Sequence, residues 1–184
     1  MQLKNFILAA SAAATASAAA CPAPSSKYFS VVAIHSGSDV QYKPFNAAVG
    51  SILAGLKSQN ATCDSPDQQY ATFYLQDGSL NLYSTSTTQE IYVDASGMGE
   101  GVIQYTTGGQ GIPAGVSLNG WAINDENLLQ WNNKSLIACP NSIDGAWSIW
   151  ADAGVANPGG NTDCVSIAAR VEEVFNPNSC VYTQ

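Results

Sequence analysis

The sequence predicts an all-β chain, a single domain of short antiparallel strands closed as a β-trefoil-like barrel, with a β-sandwich as the alternative. Three observations predict it. Short runs rich in Val, Ile, Tyr and Trp recur at about 8–12-residue spacing, divided by clusters of Gly, Asn, Asp and Ser. Two four-strand units, near 70–107 and 120–152, resemble each other as a degenerate repeat, and residues 28–68 as a third copy would complete a trefoil. The length of 184 residues and the hydrophobic share of 46% suit one domain with a core and argue against disorder.

The elements follow in chain order. Residues 1–20 read as a secretory signal peptide: Lys4 is the positive end, residues 6–14 are the apolar stretch, and Ala18-Ala19-Ala20 is the small-residue cleavage site. The apolar stretch is too short to cross a bilayer. Residues 21–27, with Pro22 and Pro24, read as an extended leader to a β-rich domain over 28–184. A strand is expected over 28–34, then a turn at 36–39 and the short run 40–42. Residues 46–56 are ambiguous, because Ala and Leu favour helix while Gly50 and Gly55 weaken it.

From residue 70 the pattern is cleaner. Strands are expected over 71–75 and 80–83, joined by a tight hairpin at Asp77-Gly78, since Asp-Gly supplies positive φ at both central positions. Strands over 91–93 and 102–106 flank a glycine-rich turn at 94–101, and residues 108–115 form a surface connection. Strands over 120–123, 128–131, 136–139 and 146–150 follow, with turns at 124–127 and Asp144-Gly145. Residues 164–174 read as a final long strand with Val165, Ile167, Ala169 and Val171 on one face, or alternatively as a helix.

Charge narrows the function classes. Six Lys and Arg face 14 Asp and Glu, a formal net charge of −8, and only 11% of residues are charged. Nucleic acid is an unsuitable partner, because phosphate contacts need clustered bases. No later apolar segment reaches spanning length and the C-terminus has no hydrophobic tail, so no membrane attachment is expected and the protein is read as extracellular.

The cysteines fit an oxidising compartment. Cys21, Cys63, Cys139, Cys164 and Cys180 lie far apart with no C-x-x-C pair, which rejects zinc-ribbon and thioredoxin readings. Cys139–Cys164 is the favoured bridge, because the two flank one compact segment. The partners of Cys21, Cys63 and Cys180 stay open, and the odd thiol is either inert or able to join another molecule. Asn60-Ala61-Thr62 and Asn133-Lys134-Ser135 are N-glycosylation sequons among turn-forming residues.

No catalytic, metal or cofactor residue is assigned. His35 is the single histidine, without a nucleophile elbow or a neighbouring group to orient it. Among the carboxylates, Asp94 and Glu100 flank Gly97-Met98-Gly99 and are the pair able to meet across a loop, while Glu172 and Glu173 would face opposite sides of a strand. Trp121, Trp131, Trp147 and Trp150 are candidates for stacking on sugar rings, with burial in the core as the competing reading. Trp147 and Trp150 should point to opposite faces.

Several stretches carry a family resemblance: Val32-Ala-Ile-His-Ser-Gly37, Gln76-Asp-Gly-Ser-Leu80, Ser96-Gly-Met-Gly99, Tyr105-Thr-Thr-Gly108, Asn161-Thr-Asp-Cys164 and Ala168-Ala-Arg-Val-Glu172. The most specific is the string over 136–156, which contains Cys139-Pro-Asn-Ser-Ile-Asp-Gly-Ala-Trp147. Together they make the chain similar to the fungal PhiA cell-wall protein family over essentially its whole length. The resemblance implies a secreted, non-enzymatic cell-wall protein tied to asexual spore formation, in particular phialides and conidia, in a family with allergen-like members and no catalytic residues to carry over. Stress protection of the wall is a further expected role. Cell-wall polysaccharide is the expected partner, with an intermolecular disulfide as a second means of attachment. A lectin-like module and a small secreted hydrolase acting through Asp94 and Glu100 are the alternatives.

Overall fold

Alternating side chains build the structure strand by strand. The computed structural model describes residues 28–66 and 68–184; the expected signal peptide, the leader 21–27 and Cys21 lie outside the described residues. The strands are β1 (Phe29–Ile34), β2 (Phe45–Ala48), β3 (Ser51–Ala54), β4 (Thr62–Cys63), β5 (Phe73–Gln76), β6 (Ser79–Leu82) and β7 (Gln89–Asp94). They continue as β8 (Val102–Tyr105), β9 (Trp121–Ile123), β10 (Leu128–Trp131), β11 (Leu136–Cys139), β12 (Trp147–Ala151), β13 (Val165–Glu173) and β14 (Cys180–Val181).

Nine of these strands close on themselves in the order β1-β5-β6-β7-β8-β3-β12-β11-β13, and β13 returns to β1. Every pairing is antiparallel. The closing seam is the longest, running from Phe29 opposite Glu173 to Ile34 opposite Ala168. Closure removes the unpaired edges that invite association. β2 pairs with β3, and the β9–β10 hairpin joins β13 through Leu128 and Leu129. β4 and β14 form a separate two-stranded ribbon in which Cys63 and Cys180 are direct cross-strand partners and are joined by a disulfide.

The all-β class and the closed barrel agree with the sequence. Each of the three segments that suggested a repeat supplies four strands, yet the segments take unlike places. The segment 70–107 is a meander lying wholly in the ring. Its neighbours divide their strands between the ring, the appended β2 and β9–β10, and the ribbon.

Turn chemistry explains the elements that sequence left ambiguous. Residues 45–54 form a hairpin, because Val49 and Gly50 both take positive φ, 51° and 66°, in a two-residue turn that joins β2 to β3. Asp77 and Gly78, at 50° and 82°, make the expected hairpin turn between β5 and β6. The final run is strand rather than helix, since β13 has β1 as partner over its second half and β11 over its first. Residues 40–42 lie in turns beside β1, with Val40 buried.

The interior is full. Phe29, Val31 and Ala33 of β1 point inward while Ser30, Val32 and Ile34 do not, and Trp147, Ile149 and Ala151 of β12 alternate in the same way. The gap among Phe45, Ile52, Phe73, Leu80, Trp121 and their neighbours is about 10 Å³. That is at or below the room one water needs, roughly 10–15 Å³, so the barrel is a packed core rather than a container.

The C-terminal residues fasten this core. The buried Gln89 side chain accepts from Tyr182 N–H at 2.9 Å and donates to the Tyr182 carbonyl at 3.0 Å, standing in for a neighbouring strand. Tyr105 Oη donates to the Thr183 carbonyl, and Gln184 Nε2 donates to the Tyr105 carbonyl at 2.9 Å. Thr183 Oγ1 and its carbonyl accept from Val49 and Gly50, so the chain end also holds the β2–β3 turn.

Candidate functional site

The tryptophans sort by strand face. Trp121, Trp131 and Trp147 are buried, at 3%, 6% and 9% exposure. Trp131 Nε1 donates to the Asn119 carbonyl at 3.1 Å. Trp147 and Trp150 do point to opposite faces, and Trp150 is half-buried. Its Nε1 donates to Ser148 Oγ at 2.9 Å, and its ring covers Gly159, where an added Cβ would stand 2.5 Å from Cη2. Burial in the core, the reading weighed against sugar contact, holds for three of the four. Three rings serve the core because they sit on inward positions of short strands, and the fourth packs on the 158–160 turn.

The two loop carboxylates are occupied by loop structure. Hydrogen bonds from Ser96, first its hydroxyl and then its backbone N–H, hold the Asp94 carboxyl below the usual carboxylate range. Such a group stays ionised and is a poor proton donor. Glu100 reaches the other way, and its Oε2 accepts from Gly159 N–H at 2.6 Å. His35 Nδ1 lies 2.7 Å from the Ser166 carbonyl on β13, which makes it a tie across the closing seam. Glu172 pairs with Arg170 on the exposed side of β13.

Cys139–Cys164 is a disulfide, as favoured from the sequence, and it ties β11 to the start of β13. Cys63–Cys180 is the second. Asn60 and Asn133 are both exposed, at φ of 48° and 59°; Asn60 Oδ1 accepts from Ser58 Oγ at 3.0 Å, and Asn133 lies in the turn between β10 and β11.

A different aromatic cluster lies on the outside. Phe29, Phe73 and Leu82 are linked cross-strand partners pointing inward on β1, β5 and β6. One residue along each chain, the alternation turns Tyr28, Tyr74 and Tyr83 outward, and all three are half-buried. The Tyr28 ring lies 4.4 Å from that of Tyr83, tilted, and 6.1 Å from that of Tyr74, edge-on. Together with Leu75, Gln76 and Ser84 they line a cleft of about 410 Å³. Gln76 also lines an adjoining groove of about 310 Å³, shared with Asp77, Ser79, Asn81, Glu90 and Asn119. Ser79 Oγ donates to Asn119 Oδ1 at 2.7 Å in its wall. Sequence reasoning missed these tyrosines; their signal was a Tyr beside an inward Phe or Leu on each strand.

Comparison with known proteins gives a consistent set of matches. Residues 29–183 match the family described as PhiA-like secreted protein. The chain is 72% identical to cell wall protein phiA of Aspergillus fumigatus, with all of both chains covered. It is 60% identical to the protein of that name from Aspergillus niger, over 100% of this chain and 99% of the relative. A more distant relative of the same name, from Arthroderma benhamiae, is 36% identical over 76% of this chain and 78% of its own. No solved structure matches the chain.

Proposed function

The chain belongs to the PhiA-like secreted protein family, and from that premise we propose that it is a non-enzymatic protein of the extracellular cell wall that supports asexual development, the forming of phialides and conidia, and protects the wall under stress. The observation that carries this reading is the end-to-end match to relatives named for the cell wall. The site chemistry supports its non-enzymatic part. Asp94 and Glu100, the carboxylates best placed for hydrolysis, each hold a turn together, and His35 ties two strands.

Retention in the wall has two routes in this proposal. One is non-covalent contact with polysaccharide. The other is a disulfide to a second molecule through Cys21, the cysteine left over by arithmetic, since the other four pair among themselves. Pull-down on insoluble chitin and β-glucan, with and without reductant, tests the first route. Extraction of walls with reductant tests the second. Protein wholly in the supernatant of the pull-down, together with full release from walls without reductant, would remove both. Deleting the gene in the source organism should lower conidium numbers; unchanged counts would remove the developmental role.

A further inference from the structure

We propose that the tyrosine cleft of Tyr28, Tyr74 and Tyr83, continued through Gln76 into the Asn81–Asn119 groove, binds a strand of neutral polysaccharide. The inference rests on the wall reading above and deepens it, by placing polysaccharide contact at a site the tryptophans do not supply.

Three features carry it. The first is chemistry. A tyrosine ring has a negative face, which attracts the slightly positive C–H side of a pyranose ring. Three such rings, Tyr74 on β5 and Tyr28 and Tyr83 just beyond the ends of the adjacent β1 and β6, form one cluster on the sheet face opposite the inward Phe29, Phe73 and Leu82. A rigid β-scaffold therefore presents them with little ordering cost.

The second is shape. The cleft of about 410 Å³ falls within the range of ligand sites, roughly 300–1,000 Å³, and Gln76 lines both it and the groove of about 310 Å³. An aromatic half joined to an amide- and hydroxyl-lined half suits a chain that runs along the surface. By contrast, the gap among the core side chains, at about 10 Å³, has no room for a ligand.

The third is charge. Among the described residues no Lys or Arg lines either cavity, Asp77 and Glu90 border the groove, and the whole chain carries −8. Like charge disfavours an anionic polysaccharide there, while hydroxyl and amide groups suit a neutral one.

The test is calorimetric titration of the secreted full-length protein with laminarihexaose, chitohexaose and, as the anionic comparison, hexagalacturonate. Binding of at least one neutral hexamer is expected, with none of the galacturonate. Y74A and Y83A should each weaken binding at least tenfold, Y74F should stay within about twofold of the parent, and W150A should leave binding unchanged. Q76A, at an exposed position, should weaken binding severalfold and serves should Y74A fail to fold, with thermal midpoints checking each variant. Binding of neither neutral hexamer, equal or tighter binding of galacturonate, or full affinity in Y74A and Y83A would overturn the proposal. Wall fractionation of the source organism separates the two readings. Protein retained in walls without oligosaccharide binding sinks the cleft alone, and binding by a protein absent from walls sinks the wall reading alone.

Discussion

Buried polar side chains decide how the ends of this chain are held. Gln89 is fully buried and spends both ends of its amide on Tyr182. Replacing it by Leu keeps the volume and leaves a backbone N–H and a carbonyl without partners. Each orphaned buried group costs about 1–3 kcal/mol, so Q89L should lower unfolding free energy by about 2–4 kcal/mol in denaturant titration. Val49 is the opposite case. A β-branched residue at φ 51° is strained, and Val49 is 60% exposed, so its side chain gains little in return. V49N should keep the N–H donated to Thr183 Oγ1 and raise stability by about 1 kcal/mol, read as a higher denaturant midpoint with unchanged slope. The same valine explains why residues 46–56 were ambiguous. Asp77-Gly78 announces a tight hairpin because both residues tolerate positive φ, whereas Val49 carries no such signal, and its turn is held by the pairing of β3 with β12 and β8 and by the bonds to Thr183. At the sequons, the exposed Asn60 and Asn133 should carry N-linked glycan. The secreted protein should lose mass on amidase deglycosylation, and N60Q with N133Q should abolish the shift; a parent with no shift would remove the glycoprotein reading.

At the scale of elements, long-range bonds do what short strands cannot. β4 and β14 are two residues each, and the Cys63–Cys180 disulfide, spanning 117 residues of sequence, fixes their register. Neither strand was legible from local pattern, because a two-residue strand has no periodicity to read and the cysteine pairing was open. C63A/C180A should cost about 2–5 kcal/mol and leave the nine-strand ring in place, checked by unchanged far-ultraviolet dichroism at lower stability. The C-terminal segment also makes stability fall at alkaline pH. Burial pushes the Tyr182 phenol up to about 12, and burial likewise raises Tyr105, whereas an unfolded tyrosine titrates near 10. Above pH 10 the unfolded chain loses protons that the folded chain keeps, so stability is fully present below about pH 10 and falls as pH rises toward 12. The denaturant midpoint should stay flat from pH 8 to 10 and then drop, with the drop reduced in Y105F. A midpoint constant through pH 12 would contradict the buried hydroxyls.

At the scale of the whole molecule, the barrel is a scaffold with chemistry on its outer surface. Its class was legible because strand alternation and turn residues repeat along the chain. Which strands close it was not, since β1 and β13 lie at opposite ends of the sequence and meet only in three dimensions. The tyrosine cleft was hidden for the same reason. Tyr74 on β5, and Tyr28 and Tyr83 just beyond the ends of β1 and β6, are ordinary one by one, and only the β1–β5–β6 pairing makes them a surface. The tryptophans drew attention by size and turned out mostly to fill the core, where large rings contribute most to burial. Membership of the secreted family and full-length kinship to proteins named for the cell wall place this chain outside the cell, in the wall. The most direct test is to follow the epitope-tagged protein in sporulating cultures of the source organism, separating medium, soluble cell contents and washed walls. Most of the protein is expected in washed walls; recovery wholly in the medium or in the soluble cell contents would contradict a cell-wall protein.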